Sequence, residues 1–136
     1  MALLDVKNLT MIFGGLTAVD NFEISIDKHE LVGLIGPNGA GKTTIFNMLT
    51  GVYVPTAGTI EIDGTSVIRK SPSKIVAIGA ARTFQNIRLF DELTVVENIK
   101  VAYHNELTYS FLDSVLRLPK YWKQEKQTQE ECMKLL

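Results

Sequence analysis

Cysteine occurs once in this chain, so Cys132 has no partner for an internal disulfide and the fold must hold without covalent staples. Long apolar runs are missing as well. The longest, such as Leu31-Val32-Gly33-Leu34-Ile35, fall far short of the roughly 20 residues that a membrane-spanning helix needs. Any membrane association is therefore expected to come through a partner. The opening Met1-Ala2-Leu3-Leu4-Asp5-Val6 lacks the basic region and extended apolar stretch of a secretory signal, which points to the cytoplasm. Neither sign of charge is in excess: 14 basic side chains stand against 15 acidic ones, so no long-range field draws the protein to nucleic acid. An anion that binds must be held by a local site. Internal repeats and low-complexity tracts are absent too. What remains is 46% hydrophobic content over 136 residues, enough for one core and short of the usual two-domain threshold.

From Leu3 to Phe13 and from Phe22 to Ile26, apolar and polar residues roughly alternate, with Gly14-Gly15 as a turn between. This pattern predicts an antiparallel pair of half-buried strands. Leu31 to Ile35 is nearly continuous in apolar residues and reads as a central strand covered on both faces. Gly36-Pro37-Asn38-Gly39-Ala40-Gly41 follows at once, and Lys42 to Leu49 reads as a helix with an apolar stripe, stopped by Gly51. Gly58 to Gly64 alternates and ends in an Asp-Gly turn, predicting a second exposed strand. Ser71 to Ile78 reads as a short helix capped by Ser71, with Pro72 at its first position. Ala80 to Phe84 is expected to return to the sheet. After Leu93 the pattern is helical, with Thr94 as cap and Glu97 completing a capping box. The final Cys132-Met133-Lys134-Leu135-Leu136 has no closing Gly, Pro or polar tail, and reads as a chain cut in mid-helix.

Gly36 to Thr43 spells G-P-N-G-A-G-K-T, which fits G-x-x-x-x-G-K-[ST] between an apolar run and a helix. Glycines at 36, 39 and 41 allow the backbone to curl so that successive N–H groups point inward, at the positive end of the next helix. A triphosphate fills such a nest. Lys42 is expected to reach the β- and γ-phosphates, the Thr43 hydroxyl to ligate Mg²⁺, and Thr44 to donate to the α-phosphate.

Extended to Thr44, the loop resembles that of ABC-type ATPases. Its flanks are similar as well: Asp20-Asn21-Phe22, Leu49-Thr50-Gly51, Pro55-Thr56-Ala57-Gly58, and Arg82-Thr83-Phe84-Gln85, which resembles the family's Q-loop. Phe13 to Val19 and Ala81 to Phe90 are similar, more narrowly, to the ATP-binding subunits of branched-chain amino-acid importers, although lipopolysaccharide exporters share much of this pattern. The resemblance implies an α/β fold, a phosphate-loop NTPase of ABC type, with an antiparallel N-terminal flank. Residues 1–136 would be the N-terminal part of one ATPase domain: about 1–92 form the core with the phosphate loop and Q-loop, and about 93–136 begin a helical region.

By the same resemblance, ATP and Mg²⁺ are the cofactors, held by Gly36, Pro37, Asn38, Gly39, Ala40, Gly41, Lys42, Thr43 and Thr44, with Gln85 as a second Mg²⁺ ligand. Phe13 takes the place of the aromatic residue that stacks on adenine, with Ala18 and Val19 nearby, or else it ends a core strand. His29 stands where a turn glycine is frequent, a substitution that left-handed backbone tolerates. Neither His29 nor His104 matches the family's switch histidine, no signature segment is present, and Asp91-Glu92 reads as an exposed turn and not as the catalytic acidic pair. The resemblance therefore assigns no catalytic residue within these 136 and implies no turnover by them alone; a nucleotide-binding module that never hydrolyses is the rival reading. Implied partners are transmembrane permease subunits and a second ATPase subunit, identical or paralogous. The implied place is the cytoplasmic face of the inner membrane.

Overall fold

The computed structural model describes residues 2–84, 89–103 and 107–136, in two compact units, Met1–Thr83 and Phe84–Leu136. In the first unit, β1 (Leu4–Phe13) and β2 (Leu16–Ile26) form a hairpin, followed by α1 (Lys42–Leu49), β3 (Ala57–Ile62), β4 (Thr65–Ser66) and α2 (Pro72–Ala77). Gly14 and Gly15 both take positive φ, 50° and 95°. Their twist matches that of the flanking strands, so β2 begins at Leu16, six residues before the alternation alone predicts. The sheet order is β2-β1-β3-β4, antiparallel throughout.

β1 is the centre of this sheet, with Val6 opposite Ile24 on one side and Ile60 on the other. Its period of two breaks once. The register shifts against both neighbours just after Val6 and Lys7, where Asn8 adopts φ 50°. An irregularity of this kind changes which face the following residues present, so Val6, Leu9 and Met11 are all buried although two of them lie three apart. Gly58 passes against this point: a Cβ there would fall on the Asn8 carbonyl and 2.7 Å from Leu9 Cα. β3 is thus a central strand with Ile60 and Ile62 buried, not the exposed strand that its polar alternation suggested. Its Asp63-Gly64 turn, both with positive φ, leads into β4 as expected. Ile45 and Met48 of α1, Val67, and Ile75 of α2 complete the core, each such burial stabilising by about 1.5–3 kcal/mol.

Two expected strands do not form. Leu31–Ile35 carries no strand; Leu31 is 101% exposed and Ile35 93%, although Leu34 packs on the core. A doubly covered strand needs neighbours to bond with its N–H and C=O groups, and no described segment supplies one. Ala80–Phe84 is also irregular. Arg82 holds it instead, with Nη1 donating to Asn47 Oδ1 at 2.8 Å and the guanidinium 5.9 Å from the Phe46 ring centroid.

The second unit contains α3 (Val95–Ala102), α4 (Phe111–Val115) and α5 (Pro119–Leu135). The predicted capping box is present: Glu97 N–H donates to Thr94 Oγ1, and Thr94 N–H donates to Glu97 Oε2. Asn98 bonds to Phe90, Leu93 and Thr94, pinning the exposed turn that contains Asp91-Glu92. α3 and α5 are tied by Lys100 Nζ to Glu125 Oε2 at 2.9 Å, and Tyr109 donates its hydroxyl to Glu125 Oε1 at 3.0 Å. The Lys100 contact, ahead of the Tyr109 bond, holds the Glu125 carboxyl below the usual range. Burial, then the bond to Glu125, raises the Tyr109 phenol. Cys132 is free and buried in this unit. Among the described residues no helix is long and apolar enough to cross a membrane.

Candidate phosphate-binding site

The glycine loop closes onto the start of α1. Gly39 and Gly41 take φ 86° and 78°, the left-handed values that L side chains rarely adopt. Ala40 N–H donates to Pro37 O at 3.2 Å, and Ile45 N–H donates to Gly41 O at 2.9 Å, the first bond of the helix. The N–H groups of Lys42, Thr43 and Thr44 therefore precede any intrahelical acceptor and face outward at the positive helix end. No acidic residue sits in that first turn.

Gly41 is where the loop meets the sheet. A Cβ at this position would lie 2.5 Å from Ala18 O and 3.2 Å from Val19 Cγ2. Ala18 and Val19, expected near the nucleotide, are thus the floor beneath the loop. Lys42 Nζ donates to Gly36 O at 2.5 Å and Pro37 O at 2.7 Å. Of its three donors, two brace the loop and one is left for an anion. Thr43 is exposed and Thr44 half-buried. These donors suit a polyphosphate, and an exposed hydroxyl oxygen suits a hard divalent cation.

Phe13 lies at the tip of the β1–β2 hairpin and packs edge-on against Tyr53, with ring centroids 5.4 Å apart at 75°. Sequence reasoning missed Tyr53. The signal was an aromatic residue between two valines just past Gly51, in the segment whose N–H groups at Val52 and Tyr53 both donate to Asn47 O. His29 has φ 67°, as its place in a turn requires. Gln85, the other expected Mg²⁺ ligand, and His104 lie outside the described residues.

An apolar-floored glycine loop opening a helix beside a sheet defines an α/β nucleotide-binding protein of the phosphate-loop class. The sequence profile of the ABC transporter family matches residues 19–136, and the chain belongs to that family. It is 46% identical over 128 residues to the high-affinity branched-chain amino acid transport ATP-binding protein BraF of Pseudomonas aeruginosa, covering 94% of this chain and 50% of that protein. It is 47% identical over 119 residues to LivG of Escherichia coli, which bears the same description, covering 88% of this chain and 47% of LivG. Among solved structures, a nucleotide-free ATP-binding cassette from an ABC transporter superposes with TM-score 0.71 at 30% identity, over 95% of this chain and 51% of that one. Another ATP-binding cassette of an ABC transporter gives TM-score 0.69 at 32% identity, over 86% and 46%. The chain spans about half the length of the relatives it matches.

Proposed function

We propose that this chain carries the phosphate-binding half of an ATP-binding subunit that powers import of branched-chain amino acids through partner membrane subunits. The carrying observation is the Gly36–Thr44 loop, seated on Ala18 and Val19 through Gly41 and opening α1 with free N–H donors. Its relatives BraF and LivG support the choice of solute class. Lys42 and the N–H groups of Gly41 to Thr43 would hold the β- and γ-phosphates, Thr44 would donate to the α-phosphate, Thr43 and Gln85 would ligate Mg²⁺, and the exposed Phe13 would face adenine. The bound metal would neutralise charge on the phosphates. Hydrolysis is proposed for the whole protein. In this reading Gly36 to Thr44 would hold the phosphates, and the group that orients the attacking water would come from elsewhere in the whole protein. In this reading the subunit works at the cytoplasmic face of the inner membrane beside a second ATPase subunit. Titration of a fluorescent ATP analogue against wild type and Lys42→Ala tests the site. A large loss of affinity is expected, and equal dissociation constants would refute it.

A further inference from the structure

The second unit ends α4 and begins α5 through an elbow whose apolar residues face outward. Phe111, Leu112, Val115 and Leu116 lie at i, i+1, i+4 and i+5, within one arc of the α4 turn, and all are exposed, Phe111 by 80%. Leu118 and Trp122, four apart at the start of α5, are exposed as well. The elbow is built, not frayed. Ser110 and Asp113 form a capping box on α4. Arg117 turns the chain with φ 49°, and Leu118 N–H donates back to Asp113 O at 3.0 Å. The Trp122 ring is held edge-on to Tyr121 at 5.4 Å, and Tyr121 to Tyr109 at 5.2 Å. Six large apolar side chains are thus presented to the outside by a hydrogen-bonded frame.

The charge around them is one-sided. Between Tyr109 and Lys123 the chain carries Arg117, Lys120 and Lys123 against Asp113 alone, in a protein whose overall charge is −1. The Asp113 carboxyl is engaged in the cap, which lowers its pKa. Lys120 Nζ donates to Thr108 O, and Arg117 and Lys123 are exposed. A protein-binding patch is characteristically poor in lysine. An interfacial segment combines Trp, Phe and Leu with basic residues whose stems cover apolar surface while their heads stay in water.

We propose that the α4–α5 elbow is a membrane-surface anchor: Phe111, Leu112, Leu116 and Trp122 enter the headgroup region of an anionic bilayer while Arg117 and Lys123 meet lipid phosphate. This contact is independent of nucleotide. It gives the chain its own hold on the bilayer, one that neither net charge nor apolar run length signals.

Trp122 is the protein's single tryptophan and sits in the patch, so its emission reports the contact directly. The full chain, without nucleotide, would be titrated with vesicles of phosphatidylcholine alone and with one-third phosphatidylglycerol. Expected are a blue shift, quenching of Trp122 by brominated lipid, and partition at least about tenfold stronger into the anionic vesicles, the preference shrinking with salt. Arg117→Glu with Lys123→Glu should abolish the preference, and Phe111→Asp with Leu116→Asp should abolish the shift; these exposed sites should leave far-UV circular dichroism unchanged. The wild-type arm stands even if a variant misfolds. Unchanged emission with both vesicles would overturn the proposal and assign the patch to a protein partner. Equal partition into both vesicles, or a concentration-dependent shift without lipid, would also overturn it, the latter in favour of a second copy of the chain.

Discussion

Replacing Gly41 by alanine tests how the phosphate loop is supported, because two separate costs meet at that residue. The left-handed backbone, φ 78°, costs an L residue about 1–2 kcal/mol. The added methyl would also lie 2.5 Å from Ala18 O, a backbone atom that no side-chain rotation can move. Lifting the loop off β2 to relieve the overlap adds about 1–3 kcal/mol, the usual range for overpacking. Gly39 separates the two terms. It has φ 86°, and a Cβ there meets nothing within 4 Å, so Gly39→Ala incurs the backbone cost alone. Gly33→Ala, with open space and no positive φ, serves as baseline. For a unit of this size, about 1 kcal/mol corresponds to roughly 4–8 °C in Tm. Gly41→Ala should therefore melt roughly 5–20 °C below Gly39→Ala when the transition is followed by far-UV circular dichroism. It should also bind nucleotide more weakly, because the α1 donors move with the loop. If both variants melt together, the Ala18 contact does not support the loop and the steric argument fails.

Lys42→Ala should weaken binding of a fluorescent ATP analogue by roughly 10- to 150-fold, the equivalent of about 1.5–3 kcal/mol for a charge-assisted bond. Thr94→Ala should destabilise α3 by about 1 kcal/mol through loss of its cap, read by chemical denaturation of the second unit. Glu125 has a carboxyl pKa lowered in the fold, so its contribution is fully present above the ordinary glutamate range and is lost as pH falls through the depressed value. An acid titration should accordingly loosen α3 from α5, seen as a change in Trp122 emission, and Glu125→Gln should flatten that part of the profile; an identical profile would remove the ion pair from the account. Steady-state phosphate release by the 136-residue chain should match its Lys42→Ala blank, and an excess of a thousandfold or more would mean that a catalytic group lies within it.

The elements that sequence made legible are those whose signals are local. The Thr94–Glu97 box, Pro72 at the start of α2 and the Asp63-Gly64 turn each depend on a few neighbouring residues, and each forms as read, while the glycine loop opens α1 without the strand expected before it. The failures are non-local. Leu31–Ile35 has the composition of a buried strand, but strand formation requires a partner, and composition carries no information on whether one is present. The burial of Ile60 depends on β3 pairing with β1, where its partner Val6 lies more than fifty residues away, through a register that the Asn8 irregularity shifts. At the site, the loop was readable because glycine spacing and family resemblance converge on it, whereas Ala18 and Val19 were expected beside the adenine and not as the support beneath Gly41. Tyr53 and the Arg82–Asn47 bond were not readable, since both arise from packing between segments far apart in sequence.

The unpaired Leu31–Ile35 segment leads directly into Gly36, so the phosphate loop is held by α1, by the β2 backbone beneath Gly41 and by Lys42 on Gly36 and Pro37, but no described strand pairs with the segment before it. A neighbouring strand that paired with Leu31–Ile35 would hold the backbone entering Gly36 in one conformation and pre-organise the loop. It would tighten nucleotide binding without touching the nucleotide, and by linkage the nucleotide would tighten the pairing by the same factor.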